Sequence, residues 1–338
     1  MPIIYVSDMK TFYIFDNFFL PTPYNHRFFV EKFASGFKSH GFEVKVVNHV
    51  DEIKEDGFVM ISNHPFYYSL GNKGKHKSLV RNLFLGLEKF DPLKLLPAVA
   101  RLFQRRTIGK LAAGIKGKDQ VLIAWFWHNE EDFFNSLGVP VIFTGEYLYG
   151  MPEEDYHRNW HKFYHSRKNA LPIKFSAKID PSQVGEGCNN TAIAISYVGN
   201  RQYKPDWYRL FQTRHDCRIV PTLPYISEEE RLNIYKNSQI SLGLHSEDNI
   251  RSKVVVERIF EALAYGALCF TDNPNAVEAT QGCAIFIKDK EQLLALVDEY
   301  LGGEGKRMAL RQRGFEFIRN QGTNFHRAKE FIELKERI

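Results

Sequence analysis

The feature that most restricts this chain is an alternation of short apolar runs with segments of helical spacing, kept up along nearly its whole length. Ile3–Val6, Glu43–Val47, Phe58–Ser62, Val121–Phe126, Val139–Thr144 and Ile173–Ala177 read as strands. Asn25–Ser39, Glu130–Ser136 and Asp155–Ser166 read as helices between them. Helical crossovers let successive strands lie parallel, so the pattern predicts parallel sheets covered by helices. Asp180–Asn190 (DPSQVGEGCNN) is polar, rich in Gly and Asn, and contains a proline, which makes it the linker candidate. Beyond it the alternation restarts, with strands at Ala192–Val198, Arg218–Pro221, Ile240–Leu244 and Leu268–Thr271. Helices are expected at Asp206–Gln212, Ser227–Asn237 and Val255–Tyr265, with a short strand at Ala284–Ile287 and helical segments closing the chain. The expected fold class is α/β, two doubly wound (Rossmann-like) domains facing across a cleft. Residues 1–185 and 186–320 are the two domains, and 321–338 is expected to pack back on the first. Sheets of this kind bind ligands at the carboxyl ends of their strands.

Size and composition agree. A chain of 338 residues exceeds one ordinary core, and 44% hydrophobic with 25% charged residues is globular usage. No window reaches the roughly 18 apolar residues of a membrane span, and MPIIYVSDMK has no signal-peptide pattern, so a cytoplasmic location is expected. Cys188, Cys217, Cys269 and Cys283 lie far apart, without metal-ligand spacing, and read as free thiols. Charge is uneven: between Lys73 and Lys118 stand twelve Lys or Arg against Glu88 and Asp91. This basic, amphipathic region (73–118) offers a peripheral contact with the inner membrane face, a solvated basic face on packed helices, or a groove for an anionic acceptor. No recognition motif accompanies it, so nucleic acid is not an expected partner.

The chemistry concentrates in VVVERIFEALAYGALCF, Val254 to Phe270. Glu257 and Glu261, four apart, share one helix face near its start, with Arg258 beside the first. A helix N-terminus with an arginine suits a phosphate, through its orphan N–H groups, its dipole and bidentate guanidinium bonding. A carboxylate suits the two hydroxyls of a ribose. The same acids are also what the dipole favours in any first helical turn.

ERIFEALAYGALCFTDN resembles the donor-binding signature of GT-B fold glycosyltransferases, most of all the glycosyl transferase group 1 branch with the CgeB-like proteins and its R-x-F-E-x-L-A-x-G pattern. Ile195–Arg201 (ISYVGNR) is similar to the strand and glycine turn that open that domain, and Tyr235–Leu242 (YKNSQISL) to its Y-x-x-S-x-I-x-L segment. Arg313-Gly314, Thr323 and His326-Arg327-Ala328 resemble its closing helices, so the likeness spans about Ile193 to Ile332. It implies a GT-B glycosyltransferase that moves a sugar from a GDP-, UDP- or dTDP-sugar to a hydroxyl of a glycan or lipid-linked acceptor, without a catalytic metal. It implies Glu261 or Glu257 on the ribose, and Arg258, Arg201 and Lys204 on the diphosphate. Gly199-Asn200 would lie by the pyrophosphate and Tyr225 by the nucleobase. Glu247, Asn249 and Val256-Glu257-Arg258-Ile259 are similar to the donor motif of alpha-1,3-fucosyltransferases, which adds Asn249 to the donor set and GDP-fucose to the donors. Asp248 interrupts that motif, and Lys253 stands where retaining families place the first glutamate of E-x7-E.

The attacking hydroxyl needs a base. Asp16, His64, His128 with Glu130 and Glu131, and Glu146 all follow expected strands, and His64 and Glu146 are the catalytic candidates because aromatics flank them. His157, His161 and His165 recur at helical spacing but read as a solvated face, not a metal site. A nucleotide-sugar epimerase and a non-catalytic carbohydrate-binding module of the same fold are the alternatives.

Overall fold

The structure, a computed structural model, describes residues 10–15, 34–61, 105–125, 131–145, 167–172, 176–189, 191–199, 204–211, 217–221, 226–251 and 255–338. They fall into two compact units, Met1–Ile173 with Ala328–Ile338, and Lys174–Arg327.

The first unit holds a six-stranded parallel sheet of β1 (Thr11–Phe15), β2 (Glu43–Val47), β3 (Gly57–Ile61), β4 (Gln120–Trp125), β5 (Val141–Gly145) and β6 (Ala170–Pro172), in the order β2-β1-β3-β4-β5-β6. Its central strands are continuous apolar runs because both faces are covered. Phe12, Ile14, Phe58, Met60, Val121 and Ile123 face one way, where Phe37 from helical residues 34–39 (α1) and Ala328, Phe331 and Leu334 from the last helix (Asn324–Lys335) pack on them. Tyr13, Phe15, Val59, Ile61, Leu122 and Ala124 face the other way, against Ile108, Leu111 and Ile115 of helical residues 105–115 (α2) and Phe134 of α3 (Glu131–Asn135).

The first sheet strand found is Thr11–Phe15, while the expected Ile3–Val6 lies outside the described residues. The last strand of this sheet is Ala170–Pro172, ahead of the run expected at Ile173–Ala177; residues 173–175 lie outside the described residues, and Ala177 forms an isolated bridge to Thr323. Ala170–Pro172 is held on β5 by side chains too: Asn169 donates to the Val141 carbonyl at 2.9 Å and Thr144 to that of Leu171 at 2.6 Å.

The second unit repeats the plan with five parallel strands, β7 (Ile193–Gly199), β8 (Cys217–Pro221), β9 (Ser238–Gly243), β10 (Leu268–Thr271) and β11 (Ile285–Phe286), in the order β11-β10-β9-β7-β8. Helices α4 (Pro205–Arg209), α5 (Glu228–Asn237), α6 (Glu247–Arg251), α7 (Glu257–Ala264), α8 (Pro274–Ala279), α9 (Lys290–Gly302), α10 (Glu304–Gln321) and α11 (Asn324–Lys335) complete it, α11 running on into the first unit. Successive residues again serve opposite faces: Val198 and Cys269 join Ile259, Leu263 and Phe317, while Tyr197, Leu242, Leu268 and Phe270 join Leu293 and Val297 of α9. The chain steps outward from β7 to β8 and then returns to place β9 on the other side of β7. The carboxyl ends of β7 and β9 therefore form a topological switch point, where a crevice opens between diverging crossovers.

Candidate functional site

Two glycines shape the switch point. A Cβ at Gly199, the last residue of β7, would stand 2.7 Å from the Tyr197 ring, so only backbone fits there. A Cβ at Gly243, the last residue of β9, would collide with Ile259 and lie 3.2 Å from the Cys269 sulfur. The absence of a side chain lets α7 pack close on β9 and brings its first turn to the sheet's carboxyl edge.

The sequence of α7 explains its placement. Ile259, Phe260, Glu261, Ala262, Leu263 and Ala264 are all buried, leaving only Glu257 and Arg258 of the helix partly accessible. Gly266, in the left-handed region at φ 80, stops the helix, with Ala267 N donating to the Ala262 carbonyl at 3.0 Å. At the start, Val256 caps without a side-chain hydrogen bond. Its own N–H instead reaches Nε2 of His245, at a long 3.4 Å.

His245 follows the end of β9 and is fully buried. Its Nδ1 lies 3.1 Å from Asp272 Oδ1, and its backbone N donates to the same oxygen at 3.0 Å. The other oxygen, Oδ2, accepts from Lys204 Nζ at 2.6 Å. A ring whose Nε2 accepts from an amide carries its proton on Nδ1, which donates to Asp272. Burial holds this imidazole below its ordinary value, opposed by the Asp272 hydrogen bond and reinforced by the Arg258 charge. For Asp272 burial pushes upward, but the hydrogen bonds from His245 and Lys204 and the Lys204 charge outweigh it, and its carboxyl titrates below the usual range. Lys204 adopts a left-handed backbone (φ 44) and lays its ammonium 4.9 Å from the Trp207 ring centre.

Arg258 donates through Nη2 to the Leu244 carbonyl, and its guanidinium lies 6.0 Å from the centre of the Tyr197 ring. Glu261, 1% exposed, has its carboxylate bonded by Arg231 Nη1 of α5. Asn249 is buried in α6, its N–H donating to Ser246 Oγ at 3.2 Å. The structure thus brings Gly199, Lys204, Glu257 and Arg258 to the carboxyl edge of one sheet, while Glu261 turns toward α5. Asn200, Arg201 and Tyr225 lie outside the described residues, as do Asp16, His64, His128, Glu130, Glu146 and the histidines 157, 161 and 165. Glu131 is described, and Arg167 grips its carboxylate bidentately at 2.7 and 2.9 Å.

The sequence reading passed over His245, Asp272 and Arg231. His245 and Asp272 each follow directly on an apolar strand, as SLGLH and LCFTD, which is the signal that marks them. Arg231 has no such signal; it stands among exposed acids in a helix of mixed polarity.

Cys188, Cys269 and Cys283 are free thiols, and burial pushes Cys269 up to about 12, which leaves it without thiolate character. Among the described residues no group of three or more His, Cys, Asp or Glu is placed to hold a metal, and no helix is long and apolar enough to cross a membrane. Of the basic region only 105–118 is described, and there α2 turns its apolar stripe of Ile108, Leu111, Ala112 and Ile115 to the core while Arg105, Arg106, Lys110 and Lys116 face solvent.

Residues 188–333 match the model of the family described as glycosyl transferase-like. The match covers most of the second unit. The fold of the chain is GT-B: it is similar over 97% of its length to a trehalose-6-phosphate synthase (99% of that chain, 9% identity, TM-score 0.55). It is likewise similar to an alpha,alpha-trehalose-phosphate synthase (UDP-forming) from Burkholderia vietnamiensis (97% of this chain, 100% of that one, 10% identity, TM-score 0.53). The glycotransferase of kitacinnamycin follows (97% and 100%, 13% identity, TM-score 0.50). The sequence matches no curated protein. Within the matched residues the switch point between β7 and β9 lies at the edge where Lys204, Arg258 and the His245–Asp272 pair gather.

Proposed function

We propose that the protein is a glycosyltransferase that moves a sugar from a nucleoside-diphosphate sugar to a hydroxyl, and that the donor binds at the carboxyl edge of the second sheet. The observation behind this reading is the cationic pair Lys204 and Arg258 beside a backbone-only Gly199, at the switch point of a glycosyl transferase-like domain. Arg258 opens α7, so its guanidinium and the helix dipole act on the same anion. Arg201 and the Gly199-Asn200 backbone are assigned to the pyrophosphate with it, and Tyr225 and Asn249 to the nucleoside side. Of the two ribose candidates Glu257 is the more accessible, whereas Glu261 would have to exchange Arg231 for the sugar. A UDP-sugar is the first donor to try, because UDP-forming synthases share the fold.

In the transfer, His64 or Glu146 takes the proton of the acceptor hydroxyl as its oxygen bonds to the anomeric carbon. The bond from that carbon to the phosphate oxygen breaks, and the electron pair leaves on the nucleoside diphosphate. Arg258, Lys204 and the α7 terminus meet the charge that develops there. We assign the acceptor side to the first unit, with a glycan or lipid-linked acceptor and the basic 73–118 region as its anionic contact. We also assign the reaction as metal-independent, which full activity in EDTA supports and loss of activity overturns.

The test is a panel of UDP-, GDP-, dTDP- and CMP-sugars in thermal-shift and calorimetric titration. Stabilisation by one of them supports the donor site; stabilisation by none removes it. A GDP-fucose response would single out the fucosyltransferase variant, and release of an epimerised donor without acceptor would replace transfer by epimerisation.

A further inference from the structure

We propose that His245, held in its Nδ1–H form by Asp272, positions the first turn of α7 by accepting the Val256 N–H at Nε2, and so sets where Arg258 meets the donor. The role in donor binding rests on the reading above; the positioning itself rests on geometry alone. Val256 immediately precedes Glu257 and Arg258 and supplies no side-chain cap, so the imidazole is what fixes its N–H. The ring in turn is fixed by Asp272, 27 residues away at the end of the neighbouring strand, and Asp272 is fixed on its other oxygen by Lys204. One chain of contacts, Lys204–Asp272–His245–Val256, thus joins both cationic donor candidates across the ends of β9 and β10.

The arrangement accepts only one protonation state. A proton on Nε2 would turn an acceptor into a donor aimed at another donor, and α7 would lose its hold. Among the described residues the charged groups facing the ring are Asp272 beyond β10 and Arg258 on α7, with Lys204 acting through Asp272; the Thr271 hydroxyl and Gly243 carbonyl complete its polar surroundings. Arg258 and burial oppose the cation and Asp272 favours it, so the neutral ring persists at neutral pH and gives way on acidification.

Two substitutions separate the ring's two bonds. A Gln reaches the Nε2 position with its amide oxygen, while an Asn reaches only the Nδ1 position. With 15N-histidine NMR the wild-type ring is expected as the Nδ1–H tautomer, and the Val256 amide as protected from exchange. That protection should survive in His245→Gln and fall about tenfold or more in His245→Asn. An Nε2–H tautomer, or equal Val256 protection in both variants, overturns the proposal whatever the ligand does. Calorimetry with the best-binding nucleotide sugar then tests the link to the donor. Affinity in wild type should be level down to about pH 6.5 and fall as pH is lowered further, and in His245→Gln it should stay flat. The same acid loss in His245→Gln overturns the link. If the Val256 result holds while no nucleotide sugar binds, the donor reading fails and the positioning stands.

Discussion

Arg258 works in two directions, giving one guanidinium nitrogen to the Leu244 carbonyl while its charge stays at the start of α7. On the proposed donor site, Arg258→Ala is expected to weaken nucleotide-sugar binding by about 10- to 100-fold, read by calorimetry, because the charge-assisted contact assigned to it is lost. Arg258→Lys should recover only part, since a lysine cannot form the fork. Glu261 makes a different case. Its carboxylate is buried against the half-buried Arg231, so Glu261→Ala removes that cation's nearer partner, leaving Glu228 at 3.9 Å, and should cost about 1–3 kcal/mol in urea unfolding. Replacing both, Arg231→Met with Glu261→Leu, should recover most of that loss. If the single change cost under about 1 kcal/mol, the pair would not be the buried bridge described.

At the scale of elements, α7 and β9 to β10 are coupled through His245 and Asp272, and that coupling has a pH signature. His245 titrates below its ordinary 6.5 in the folded protein, so on acidification the unfolded chain takes up the proton first. The stability contributed by the neutral ring is therefore complete above about pH 6.5 and is lost as pH falls from there through the folded value. Asp272, also depressed, adds a second loss once pH drops below its ordinary 3.8. Urea midpoints from pH 8 to 5 should be level at first and then decline, and His245→Gln should flatten the decline. An unchanged slope would mean that other groups dominate. Elements were also where the sequence was easiest to read. Glu43–Val47 and Leu268–Thr271 stand as expected, because a β-branched or aromatic run bounded by Gly or polar residues has little alternative. Thr11–Phe15 (TFYIF) carries the same signal, and its five consecutive buried residues are a strand of the sheet core; Ile3–Val6 lies outside the described residues. The candidate site was legible only where its residues sit at strand ends or in a helix's first turn.

In the whole molecule, α11 carries Ala328, Phe331 and Leu334 onto the first sheet, far from it in sequence. Deleting residues 328–338 is expected to unfold the first unit at lower temperature while the second, which has its own two core faces, keeps its cooperative transition in calorimetry. Phe331→Ala alone should cost about 3–5 kcal/mol, since the ring packs among Phe37, Phe58 and their neighbours. A single unshifted transition in both variants would contradict that division. Local periodicity was enough for alternating strands and helices, a strand running to Gly199 and a helix opening on Glu-Arg, because hydrophobic spacing acts within a few residues. Only the tertiary structure joined Asp272 to His245 and Arg231 to Glu261. Those partners meet because parallel strands were brought side by side in one register, and a sequence does not state locally which strand will be the neighbour of which.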